Sequence, residues 1–260
     1  AAAALLALGR GDPAAGPAAA ADAPGEGEPR TAEEFIRRGR GSVERNEVMA
    51  AVADFEAARG LAPGDPRALA YSAYGLTMAA KPEAVERGLD AIEAYGTAGA
   101  PAAVYANLGC AYLQRAGKSA PALVVLDRAV ELDPDLIPAR YNRAIARFRA
   151  SVRDARLPDR GCVDDLRVVL RADPAAAEVY YFAARVWAAT AHLDPAFRDE
   201  AVALLEAAAR LGDDPSKFAE EYVLEANLRG HRGFERVCGL ARVPGPARQV
   251  NLRYVDPDPR

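Results

Sequence analysis

The sequence predicts an all-α protein: a row of helical hairpins stacked side by side rather than packed around one centre. Three observations carry this expectation. Composition is the first, because alanine is abundant, aromatics make up 7%, and β-branched residues are sparse outside a few valines, a balance that favours helix over strand. The second is a small residue that recurs at a nearly constant interval, and the third is a set of prolines that fall where every second helix should stop. At 260 residues and 51% hydrophobic content, the chain has ample material for a buried core.

The clearest unit opens with Tyr105, Leu108, Gly109 and Tyr112 and runs through Ala122 and Leu126 to Pro134. Counting outward from Gly109, the equivalent small residues are Gly39, Gly75, Ala144 and Ala184, separated by 36, 34, 35 and 40 residues. Five repeats result, with an insertion in the last spacing. The second helices repeat a small residue followed four positions later by a large one: Ala51 and Phe55, Gly88 and Ile92, Ala122 and Leu126, Cys162 and Leu166, Ala201 and Leu205. Pro63, Pro134 and Pro174 terminate three of them, and Gly212 ends the fifth. Small residues at the crossing points let antiparallel helices approach closely, while large ones fill the gaps between hairpins.

The flanks follow from the same reasoning. Residues 1–30 contain 21 Ala, Gly or Pro, with prolines at 13, 17, 24 and 29, and read as a linker. Its opening AAAALLAL is apolar for eight residues, short of a membrane span. It is either the distal end of a missing membrane or signal segment or a low-complexity tail. Residues 31–212 hold the array. Asp214-Pro215 starts a capping segment over 213–238, with Phe218, Tyr222, Leu224 and Leu228 facing inward and Glu220, Glu221 and Glu225 outward. The remainder, 239–260, carries prolines at 244, 246, 257 and 259 and either lies extended along the array or is disordered.

The repeat unit resembles the tetratricopeptide pattern, aromatic-x-x-Leu-Gly-x-x-Tyr with Ala, a large apolar residue and Pro following, with one extra residue in the inter-helix turn. The resemblance covers about residues 31–212 and implies a right-handed α-α superhelix of about five hairpins plus a C-terminal capping helix. It also implies a concave groove, lined by the first helix of each repeat, that takes extended peptides or helices. In that register Asn107 and Asn142 precede the small residue by two positions, where related domains hold a ligand backbone. Arg37, Arg40, Tyr141, Phe148, Arg149, Tyr181 and Arg185 join them on the groove side. The carboxylate-clamp variety needs a lysine in the third groove helix, and positions 103 and 138 are Ala and Pro, so capture of an acidic C-terminal tail is not expected.

Chemistry of other kinds finds little support. The net charge of -4 and the lack of a polybasic run argue against nucleic acid. His192 and His231 stand alone, Cys110, Cys162 and Cys238 read as reduced or buried thiols, and no hydrolase or nucleotide-binding motif occurs. Arg38-Gly39-Arg40-Gly41 lies in a helical pattern and reads as a packing glycine, not a phosphate cradle. The carboxylate pairs Glu33-Glu34, Asp164-Asp165 and Asp213-Asp214 read as solvated faces or helix N-terminal charges. The expectation is a non-enzymatic scaffold with protein or peptide partners and no cofactor or metal. An alternative is the tail of a larger protein, since linker plus array is similar in architecture to the region after the membrane helix of some bacterial serine/threonine kinases. Membrane contact is expected only through such a missing upstream segment.

Overall fold

A computed structural model of the chain describes residues 29–96, 99–115, 118–172, 174–244 and 252–258; the linker expected over 1–30 lies almost wholly outside them. Twelve α-helices and no strand occur among the described residues. Ten of them form five antiparallel hairpins: α1 (Ala32–Glu44) with α2 (Val48–Leu61), α3 (Pro66–Met78) with α4 (Ala84–Tyr95), α5 (Ala102–Leu113) with α6 (Ser119–Leu132), α7 (Ile137–Arg153) with α8 (Arg160–Arg171), and α9 (Ala177–Thr190) with α10 (Phe197–Arg210). Each hairpin packs on the next, so the molecule is an α-α solenoid.

Helix starts are written locally. Thr31 and Glu34 form a reciprocal capping box on α1, and Asp65 caps α3 ahead of Pro66. Where no proline stops the second helix, glycine does: Gly96 and Gly212 follow α4 and α10 with φ of 52° and 97°, values that cost other residues steric strain. The insertion of the fourth repeat lengthens α7 to 17 residues and adds the turn before α8.

The small residues do what their spacing suggested. A Cβ on Gly39 would lie 2.5 Å from Phe55 Cε1, and one on Gly109 would overlap the Leu126 side chain. Phe55, Leu126, Leu166 and Leu205 are fully buried. Crossing helices therefore touch backbone to side chain at these points, closer than an alanine would allow. Gly39 belongs to α1, so the Arg-Gly-Arg-Gly run is helical as expected.

Asp165 corrects one expectation. It is not on a solvated face: its side chain is 1% exposed and held by Arg140, Arg143 and Arg147 at 3.1, 2.6 and 3.0 Å. The α1–α2 hairpin has the counterpart, with Arg38 donating to both oxygens of buried Asp54. In each case the arginine precedes the small residue of the first helix by one, and the aspartate follows that of the second by three. Repeats one and four thus pin their hairpins with an arginine–aspartate pair at the same positions, the carboxylate buried in both and the arginine half-exposed in repeat one, held by two-pronged hydrogen bonds.

The cap is divided. Asp214 caps a single 3-10 turn, Pro215–Phe218, after which the chain breaks and forms α11 (Tyr222–Leu228) and α12 (Arg232–Cys238). Phe218, Leu224, Leu228, Phe234 and Val237 close the end of the core, whereas Tyr222, expected inside, is 81% exposed. Glu221, expected outside, accepts from Leu224 N to start α11 and pairs with Arg185.

Candidate functional site

The first helices of the repeats line one side of the solenoid, and residues 252–258 run across it as an extended segment. That segment descends from the fourth repeat to the first. Asn142 Nδ2 donates to the Arg253 carbonyl at 2.8 Å. One repeat earlier, Asn107 grips Val255 with both ends of its amide: Nδ2 donates to the Val255 carbonyl at 2.7 Å, and Oδ1 accepts from Val255 N at 3.0 Å. Residues two apart on an extended chain face the same way, which is why asparagines one repeat apart meet alternate residues. Both amides are buried, Asn142 fully, and a buried amide without partners would cost about 1–3 kcal/mol.

Beyond Val255 the recognition becomes ionic. Asp256 Oδ2 accepts from Arg40 Nε at 2.8 Å, and Asp256 Oδ1 accepts from the Tyr71 hydroxyl at 2.6 Å and from Asp258 N at 2.9 Å. Arg67 bridges Glu33 and Asp258, both at 2.9 Å. Pro257 is buried between the two aspartates. Tyr254 packs against the aromatic cluster of Phe55, Tyr71 and Tyr74, and Val255 against the cluster of Ala106, Ala129, Val130 and Ala139. Burial pushes the Tyr71 phenol well above its ordinary range, and its hydrogen bond to the Asp256 carboxylate adds to this, so it remains a donor. Burial opposes the charge on Arg40, but the nearby Asp256 more than offsets it and the guanidinium is held above its usual value.

Of the residues expected in the groove, Asn107, Asn142 and Arg40 meet the extended segment directly. Tyr141, Phe148, Arg149 and Arg185 come together in a cleft of about 410 Å³ between α7 and α9. There Phe182 meets Tyr141 and Phe148 edge to face, and Arg149 donates to the Leu113 carbonyl at 2.5 Å. Arg185 lies over the Phe148 ring but pairs with Glu221, and Tyr181 stacks on Phe218 at 5.6 Å. The cap therefore engages those two, while Arg37 stands exposed on α1.

Tyr71, Arg67 and Gln114 were not anticipated. Gln114, which reaches the Thr77 carbonyl at 2.8 Å and the Tyr254 hydroxyl at 3.5 Å, occupies in repeat three the position of Arg149 in repeat four; the register could have found it. Tyr71 and Arg67 lie earlier in α3, and only the position of the extended segment marks them. The contacts made by residues 256–258 differ in kind from the carboxylate clamp considered above. The grip comes from arginines and a tyrosine of the first two repeats on side-chain carboxylates, so no lysine in the third groove helix is needed.

No family model and no curated protein matches the chain. Among solved structures, the thermophilic TPR protein TTC0263 of Thermus thermophilus aligns over 81% of this chain and 100% of its own, with a TM-score of 0.52 and 20% identity. The chain has the tetratricopeptide-repeat fold. Two further matches are YrrB, described as a TPR protein with an unusual peptide-binding site (TM-score 0.47, 21% identity, 68% of this chain and 84% of that one), and the MamA protein (0.49, 16%, 82% and 98%). At these identities the likeness is one of fold.

No group of three potential metal ligands occurs among the described residues. His231 caps α12 and meets Asp199 at 2.9 Å, and His192 is exposed. All three cysteines are free, and Cys110 and Cys162 are buried. No helix among the described residues is long and apolar enough to cross a membrane.

Proposed function

We propose that the protein is an interaction scaffold that binds an extended peptide segment in the groove of its tetratricopeptide array, with Asn107 and Asn142 reading the ligand backbone. Tetratricopeptide folds generally serve protein interaction, and the finer assignment rests on one observation: both amides hydrogen-bond the main chain of an extended segment lying in the groove. Asparagine suits this task because it donates and accepts at once and is indifferent to the side chains it passes. Arg40, Tyr141, Phe148 and Arg149 then supply side-chain contacts on either side, with Arg37, Tyr181 and Arg185 at the periphery. No observation favours the kinase-tail alternative over a free-standing scaffold.

The test is a double substitution. Asn107→Ala with Asn142→Ala, made on a chain carrying Asp256→Asn and Asp258→Asn so that residues 252–258 are weakened as occupants, removes three hydrogen bonds to ligand backbone, each worth about 0.5–1.5 kcal/mol net, so affinity for a groove peptide should fall by about tenfold or more relative to that background while the helical circular dichroism stays unchanged. Unaltered affinity in a folded variant would discard the groove assignment.

A further inference from the structure

The extended segment in the groove belongs to the chain itself. We infer that the Arg40, Arg67 and Tyr71 end of the groove selects extended segments carrying two acidic residues two positions apart, and that residues 252–258 are an intramolecular occupant which such a partner must displace. This rests on the groove reading above and adds a ligand class and a competitor to it.

Three features support the acid selectivity. First, Asp256 is saturated: Arg40 takes one carboxylate oxygen, and the Tyr71 hydroxyl and Asp258 N take the other. With Arg40 and Asp256 28% and 29% exposed, the pair is partly withdrawn from water, where charge-assisted bonds are stronger. Second, Arg67 of α3 bridges Glu33 of α1 and Asp258, so a second cation stands two positions along the segment from the first. Third, Tyr254 fills the aromatic cluster ahead of the acids, which sets the register of the two carboxylates.

The occupancy argument is one of effective concentration. A segment joined to α12 by thirteen residues competes as an intramolecular ligand at a local concentration on the order of the millimolar range. An external peptide with the same contacts therefore binds the intact chain weakly until the tail's own carboxylates are lost.

The experiment uses the full chain. A fluorescein-labelled peptide Leu-Arg-Tyr-Val-Asp-Pro-Asp is titrated by anisotropy against the unaltered protein and against Asp256→Asn with Asp258→Asn, which keeps the tail's shape and removes its charge. The variant is expected to bind at least tenfold more tightly than the unaltered protein. On that variant a peptide with both aspartates replaced by asparagine should bind at least tenfold more weakly. Adding Arg40→Ala and Arg67→Ala should abolish the discrimination, whereas Arg40→Lys alone should retain part of it. Equal affinity of the two peptides overturns the acid selectivity, and equal binding by the unaltered protein and the Asp-to-Asn variant overturns the competition. If the peptides bind equally yet depend on Asn107 and Asn142, the groove reading stands and this one falls; if binding ignores those asparagines, both fall. A dimer mass by light scattering for the unaltered chain that reverts to monomer in the Asp-to-Asn variant would assign the occupant to a second copy and overturn the intramolecular reading.

Discussion

Gly109 and Gly60 show why residue identity matters at some positions and not at others. Both are helical, so alanine at either gains up to about 1 kcal/mol of helix propensity. At Gly60 a Cβ meets nothing within 4 Å, and Gly60→Ala should stabilise by about 0.5–1 kcal/mol. At Gly109 the Cβ would overlap Leu126, itself fully buried and unable to yield. Overpacking costs about 1–3 kcal/mol, so Gly109→Ala should destabilise despite the better propensity. Urea unfolding of the two variants checks the opposite signs; two gains would show that the hairpin crossing is looser than its geometry.

At the scale of the element, each hairpin is two helices that cannot bury their apolar stripes alone. Ion pairs on a buried aspartate in repeats one and four add a polar pin to this packing. Removing one partner of such a pair leaves the others uncompensated. Asp165→Asn strands Arg140, Arg143 and Arg147 beside a neutral amide and should cost about 3 kcal/mol, read as a lower denaturation midpoint. The opposite outcome is informative too: a midpoint unchanged in this variant would mean that Asp127, 3.0 Å from Arg143, suffices to balance the cluster. The divided cap belongs to this scale as well, since Phe218, Leu224, Leu228 and Phe234 cover the last hairpin from three short pieces rather than one helix.

For the molecule as a whole, burial couples stability to alkaline pH. Burial pushes the Cys110 thiol up to about 11, the Cys162 thiol up to about 12 and the Tyr74 phenol up to about 12. Each group keeps its proton longer when folded than when unfolded, so its stabilising contribution is intact below the unfolded value and is lost as pH climbs through the folded one. For the thiols that decline starts near pH 9. The denaturant midpoint should hold between about pH 7 and 8 and fall by about pH 10.5; a rise would contradict the burial. In the same window, alkylation followed by mass spectrometry should mark half-buried Cys238 first, because at about pH 8 a thiol with a value near 11 is thiolate in roughly one molecule per thousand. The tail acts at this scale too: Arg40 and Asp256 are 216 positions apart, so a fold made of neighbouring contacts is also tied from one end to the other.

The sequence alone determined the helical class, the five-hairpin period and the crossing residues, because these depend on local spacing: a glycine or alanine every turn of the solenoid and a proline or glycine at most second-helix ends. It also marked Asn107, Asn142 and Arg40, which inherit their direction from that register. Only the tertiary structure decided what those residues hold. Tyr71, Arg67 and residues 252–258 come together across the array, which no local period records, and Asp165, though it shares the register of Asp54, is met by three arginines of α7 only in the folded hairpin. The division of the cap was equally out of reach, since the break between Phe218 and Tyr222 follows from how Phe218 and Glu221 dock on Tyr181 and Arg185 of α9.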